Sequence, residues 1–276
     1  MTKCIVLCAD DYGQEVTISK GILALVALRR LSAVSCLVTI PHWGEHAAWL
    51  KPHHDQVSIG MHFNLTEGKP LSAAYRAAYG DCFYSLGRLL SKAFLRQLDK
   101  QVLVAECHAQ LDQFVAELGQ LPDFIDGHQH VHHFPIIRDA LLEVYQARLR
   151  QHHTYIRVVN HRFHATELKK MIIYFSGATA LKHLLDKQHI AHNDSFSGVY
   201  EFTRASQYPQ YFRQFLNEIG HRGLIMCHPG LQSTSTQDVI ANARYQEYQY
   251  FSSDTFLTDC KENDVKLVTK FEWKNI

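Results

Sequence analysis

The chain alternates short apolar runs with longer stretches in which apolar positions recur every three or four residues. The short runs cover residues 4–8, 33–40, 57–62, 123–126, 155–159, 224–227 and 265–268, and they read as strands. The longer stretches, 16–31, 102–118, 136–149, 166–185 and 208–219, read as helices, the fourth interrupted by Gly177. Strands that alternate with helices predict parallel βα units. Seven or so such units, without a G-x-G-x-x-G turn after the first strand, favour an α/β barrel over a dinucleotide-binding sheet. Residues 68–91 carry Gly, Pro and Tyr with little periodicity, so a lid-like or binding excursion (68–95 with its flank) is expected after the third strand. No internal repeat or linker is visible, and one domain over residues 1–276 is the simplest organisation.

Composition narrows the class. A 276-residue chain that is 46% hydrophobic can bury a large core. Its net charge of +1 creates no field toward nucleic acid or an anionic membrane. No run of 18 apolar residues appears, and the N-terminus lacks a secretory pattern. Seven cysteines, an odd number without C-x-x-C, read as reduced thiols, so a cytoplasmic protein is expected. The anomaly is 19 histidines, several of them clustered. The pairs at 53–54 and 152–153 fall in polar loops, and Trp43, Trp49 and Trp273 read as packing residues.

Four polar clusters each follow a predicted strand. They are Asp10-Asp11 in "ADDYG", His62 and Asn64 in "GMHFNLTEGKPL", Asp126 to His133 in "DGHQHVHHFP", and His228 in "MCHPG". The carboxyl ends of barrel strands open on one face, so clusters remote in sequence would converge there. Each cluster has an ordinary reading: an aspartate after a strand commonly caps a helix, and an isolated histidine is commonly structural. Together, carboxylates and imidazoles suit a divalent ion used as a Lewis acid. On an extended segment His128, His130 and His132 would point to one side, where only one or two can reach a single ion. Adjacent Asp10 and Asp11 would point apart, one toward the ion and one free for proton transfer, in either order.

In this order and spacing, the four motifs resemble the YdjC-like carbohydrate deacetylase family, which includes chitooligosaccharide deacetylases. The resemblance runs from residue 9 to residue 230. It implies an irregular, TIM-like (β/α) barrel and metal-dependent removal of the acetyl group from an N-acetylated sugar. Carried onto this chain, it implies that Asp11, His62 and His128 bind one divalent metal ion, magnesium favoured and zinc or another ion open. Asp10 would be the general base and His228 the general acid. Arg157 resembles an arginine that follows a later barrel strand, and "SFSGVY" with Phe196 resembles a substrate loop. Arg157, Phe196, Asn64 and His130 are therefore expected to contact substrate. The implied partner is a small-molecule N-acetylated sugar, not nucleic acid or a membrane, with a homodimer left open. The rival expectations are another metal hydrolase such as a phosphoesterase, and a non-catalytic sugar-binding barrel.

Overall fold

A computed structural model describes residues 2–159 and 177–269. In chain order these form β1 (Lys3–Tyr12), α1 (Val16–Ala27), β2 (Ala33–Cys36), α2 (Trp43–Leu50), β3 (Ser58–Phe63), α3 (Ala73–Tyr79), α4 (Leu86–Phe94), α5 (Lys100–Leu118) and β4 (Phe124–Gly127). There follow α6 (Ile137–Arg148), β5 (Tyr155–Ile156), α7 (Thr179–Gln188), β6 (Ser195–Ser197), α8 (Tyr208–Glu218), β7 (Gly223–Cys227), α9 (Ala241–Ser252), α10 (Asp254–Glu262) and β8 (Val265–Leu267). Of the expected helix 166–185, residues 166–176 lie outside the described residues, as does Trp273.

All strand pairings are parallel, in the order β5-β4-β3-β2-β1-β7-β6, with β8 beside β1. Among the described residues the sheet curls into a half-barrel, and the closed barrel that the alternation predicts is not formed. β5 and β6, two and three residues long, end the strand order at opposite edges and, among the described residues, do not pair with each other. A looser seam joins their ends. The Ile156 N–H donates to the Ala191 carbonyl at 2.9 Å. Asn193 brackets Val158, accepting from its N–H and donating to its carbonyl, each at 2.8 Å.

The alternation within each strand decides which residues meet inside the curl. Ile5, Leu7 and Ala9 of β1 pack outward into the large helix-covered core, while Val6 and Cys8 join an inner cluster with Ala33, Phe124, Tyr155 and Leu224. Gly60 continues that inner layer without a side chain, because a Cβ there would stand 2.4 Å from the Phe124 ring. One step further along the same inward rows come Asp10, Ser35, His62, Asp126 and Arg157, all buried. A polar layer thus sits directly on an apolar one, at the carboxyl ends of the strands. The excursion at 68–95 contains α3 and α4 rather than irregular loop. Ser72 caps α3 by accepting from the Tyr75 N–H at 3.1 Å, and Glu106 of α5 accepts from the Leu71 and Ser72 N–H groups at 3.0 and 2.8 Å.

Candidate metal centre and active site

The two aspartates that close β1 enter different surroundings. Asp10 stays in the inward row, where Arg157 binds it with a two-pronged grip, Nη1 to Oδ2 and Nη2 to Oδ1, both 2.6 Å. Asp11 turns out of the strand. The β1–β2 register shifts between Ala9 and Tyr12, and Asp11 has a left-handed backbone, φ 66°, a conformation that Asp tolerates better than most residues. Simple strand alternation is therefore replaced by a bulge, which swings the second carboxylate toward β3 and β4.

There Asp11 meets two histidines. Its Oδ1 lies 3.0 Å from Nδ1 of His128 and 3.5 Å from Nε2 of His62, and one ligand atom from each of the three lies within 4.8 Å of the others. His62 is fixed from behind. Its Nδ1 donates to Asp126 Oδ1 at 2.5 Å, and Ser35 Oγ donates to the same oxygen at 2.6 Å. With Nδ1 committed, Nε2 is the nitrogen that faces Asp11, and among the described residues it has no hydrogen-bond partner. This donor set, one carboxylate oxygen and two imidazole nitrogens with an orphaned buried nitrogen, fits a divalent cation. A second acidic cluster, Cys8, Asp10 and Asp126, is already neutralised by Arg157, whose Nη2 lies 2.6 Å from Asp126 Oδ2 and 3.0 Å from the Cys8 sulfur.

The electrostatics favour positive charge at the triad. Burial opposes an imidazolium at His62, yet the carboxylates of Asp126 and Asp11 outweigh it and push its pKa up to about 10. Burial likewise opposes charge on Asp11, but Arg244 and His128 hold its carboxyl well below the usual range. Arg244, from α9, donates through Nη2 to Asp11 Oδ2 at 2.8 Å. His228 stands just past β7 with its ring edge-on to Phe202 at 5.5 Å, and burial pushes its pKa down.

These groups line a cavity of about 500 Å³. Asp10, Asp11, His62, His128, His130 and His228 all reach it. The extended geometry expected for the histidine run is not formed: Gln129 and His130 are both left-handed, φ 52° and 60°, so the chain coils sharply after β4. His128 consequently turns to Asp11, His130 packs edge-on to Phe196 at 5.9 Å, and His132 Nε2 lies 3.0 Å from the Arg157 carbonyl. Three residues expected at the substrate do not line the cavity. Arg157 is wholly buried as the counter-ion of Asp10, Phe196 belongs to the inner apolar cluster, and Asn64 is committed to the turn that follows β3.

A family model described as YdjC-like protein matches residues 4–262. The chain belongs to the YdjC-like family. Among its relatives, carbohydrate deacetylases of Danio rerio and Homo sapiens are 34% identical over 146 and 149 residues, covering 51% and 52% of this chain and 45% of each relative. A chitooligosaccharide deacetylase of Yersinia enterocolitica is 34% identical over 140 residues, 50% of this chain and 53% of the relative. The chain spans about half the length of the curated relatives it matches. A crystal structure from Enterococcus faecalis V583, of a protein named as a candidate for cellobiose-phosphate cleavage, superposes with a TM-score of 0.71 at 20% identity over 97% of each chain, a likeness of fold.

Several cavity residues of this YdjC-like chain escape motif reading. Gln14, Glu67 and Arg244 line the wall beside the triad, and Tyr200 and Phe202 line it near His228. Glu67 does lie inside "GMHFNLTEGKPL", and Gln14 directly follows "ADDYG". Arg244 and Glu247 sit three positions apart in α9, both buried. Glu247 accepts from the Tyr200 hydroxyl at 2.6 Å and from the His228 N–H at 2.5 Å, which ties the loops after β6 and β7 together.

Proposed function

We propose that this YdjC-like chain is a carbohydrate deacetylase, a metal-dependent hydrolase that removes the N-acetyl group from a chitooligosaccharide or a related acetylglucosamine derivative. The observation that carries this reading is the division between the adjacent aspartates. Asp11 faces two histidines as a ligand would, while Asp10 is clamped beside it and kept out of that set. Amide hydrolysis needs both an electrophilic centre and a separate base close to it. The names of the relatives at 34% identity support the choice of an acetylated sugar.

Asp11, His62 and His128 would hold one divalent ion, with magnesium our first assignment and zinc the second. When bound, that ion supplies Lewis-acid polarisation of the amide carbonyl and eases ionisation of water. Asp10 takes the proton of the attacking water, its carboxylate aimed by the arginine fork. His228 gives a proton to the departing amine; burial pushes its pKa down, against the upward pull of the Asp11 and Asp10 carboxylates. His130 and Tyr200 form the wall against which the sugar rests. Leu86, at the start of α4, brings the 68–95 segment to the cavity, where it acts as a lid over the substrate. Among the described residues no helix is long and apolar enough to cross a membrane.

The test is acetate release from a panel of N-acetylated mono- and oligosaccharides, after chelation and with single metals restored. Release that depends on a divalent ion and disappears in Asp11→Ala is the expected result. Silence across the panel, or equal release in the presence of chelator, would rule the reading out.

A further inference from the structure

The triad is enclosed by a circuit of contacts that begins and ends on Asp11. From Asp11 Oδ1 the first step is 3.0 Å to Nδ1 of His128. The opposite ring nitrogen, Nε2, lies 3.2 Å from Oε1 of Glu67, an ion-pair contact outside hydrogen-bond geometry. Oε2 of Glu67 accepts from Nε2 of Gln14 at 2.7 Å, and Oε1 of Gln14 accepts from Nη2 of Arg244 at 2.8 Å. That same nitrogen returns to Oδ2 of Asp11 at 2.8 Å. Five residues from β1 and the turn after it, the turn after β3, the coil after β4 and α9 thus close one ring, and only two of them are in the ligand set.

Gln14 and Glu67 are each placed by the turn around them. Gln14 follows Gly13, whose φ of 99° and 2.9 Å Cβ approach to the Leu37 carbonyl leave little room for another residue. Glu67 is fixed by Asn64. The Asn64 Oδ1 accepts from the Thr66 and Glu67 N–H groups at 3.0 and 3.1 Å, and its Nδ2 donates to the Glu67 carbonyl at 2.6 Å and to Thr39 Oγ1 at 2.7 Å. Asn64 therefore presents Glu67 to His128.

We infer that Glu67 is a positioning residue of the cation site, turning His128 so that Nδ1 and not Nε2 faces Asp11. An imidazole has two nitrogens, and a ligand histidine is oriented by whatever engages the one that does not coordinate. For His62 that engagement is Asp126 at Nδ1; for His128 it is Glu67 at Nε2, so the two rings present opposite nitrogens to one point. The far side of the circuit performs the complementary task. Arg244 engages Asp11 Oδ2 and leaves Oδ1 as the single oxygen facing both rings.

This inference rests on the reading of the triad as a cation site, and one experiment separates the two. The full chain is stripped with chelator and titrated with manganese(II), free ion being counted by its electron paramagnetic resonance signal. Thermal unfolding of each metal-free variant is followed in parallel. Glu67→Ala should weaken manganese binding by roughly 10- to 100-fold, the usual cost of losing the partner of a ligand histidine. Glu67→Gln, of the same size, should fall between it and the wild type and carries the test if the alanine variant does not fold. With metal saturating, kcat should recover to within a few-fold and KM should stay put. Unchanged manganese affinity with a raised KM would make Glu67 a substrate contact, and unchanged affinity with only a lower Tm would make it a packing residue; either result overturns the inference. Asp11→Ala supplies the control. If it loses manganese while the Glu67 variants keep it, only the positioning role fails; if it binds like the wild type, the cation site itself fails and the inference with it.

Discussion

Arg157 and Asp10 form a fully buried, two-pronged ion pair, with both bonds 2.6 Å long and the same guanidinium 2.6 Å from Asp126. Burial opposes the charge on Arg157, but the two carboxylates outweigh it and hold the group protonated. Arg157→Ala would strand two buried carboxylates, and breaking such a pair costs about 3–5 kcal/mol. Urea denaturation should show that loss. Arg157→Lys keeps the charge but not the planar fork, so it should fold better than the alanine variant and still turn over slowly, because Asp10 is no longer aimed. A lysine variant with wild-type kcat would show that the fork does not matter for Asp10.

The order of roles within the aspartate pair gives a sharper test. Asp10→Asn preserves shape and leaves Asp11, His62 and His128 untouched. It should bind a divalent ion as the wild type does while kcat falls by about 10²–10⁴-fold, the usual worth of one general base. Asp11→Asn should lose ion binding as well as turnover. The reverse pattern, metal lost in Asp10→Asn and kept in Asp11→Asn, would exchange the two assignments.

What could be read beforehand follows a physical line. Residues delivered by strand ends were legible, because a polar cluster after an apolar run marks the open face of parallel βα units; Asp10, Asp11, His62, His128 and His228 all reach the cavity. Residues whose meaning depends on a tertiary partner were not. Arg157 reads as a substrate contact until its burial against Asp10 is seen, and Asn64 until its turn around Glu67 is seen. Arg244 and Glu247 lie on a helix with no strand end to flag them. The half-barrel was hidden for a similar reason. The apolar run at 155–159 suggests a full strand, yet only Tyr155–Ile156 ladders with β4, and Val158 turns instead to the side chain of Asn193.

Ion binding should be visible without any substrate. A ligand that binds only the folded state adds about 2.7 kcal/mol at a hundred times its Kd, which for a chain of this size raises Tm by several degrees. Adding a divalent ion to chelator-treated protein should therefore raise Tm, and the increment should vanish in His62→Ala. Asp126→Asn should reduce it, because Nδ1 of His62 then loses its charged acceptor. An equal increment in all three proteins would point to binding elsewhere, for instance among the exposed histidines.

The last prediction concerns pH and a group outside the ion site. Glu247 is wholly buried, and burial raises its pKa from 4.5 to about 7 against the pull of the Tyr200 hydroxyl, the His228 N–H and the charge of Arg244, with Asp10 adding a smaller push upward. A carboxyl with a raised folded-state pKa binds its proton more tightly when folded. Its contribution is therefore complete below pH 4.5, declines as pH rises and is gone once pH has passed about 7. The slope corresponds to about 3 kcal/mol across that window, at 1.36 kcal/mol for each pH unit. Glu247→Gln cannot ionise, so the wild type minus variant difference in unfolding free energy should fall between pH 4.5 and 7 and be level above it. Urea denaturation at half-unit steps of pH measures that difference directly and cancels every titration the two proteins share. A level difference across the window, or one that rises with pH, would mean that Glu247 is ionised throughout, with its two hydrogen bonds and Arg244 prevailing over burial.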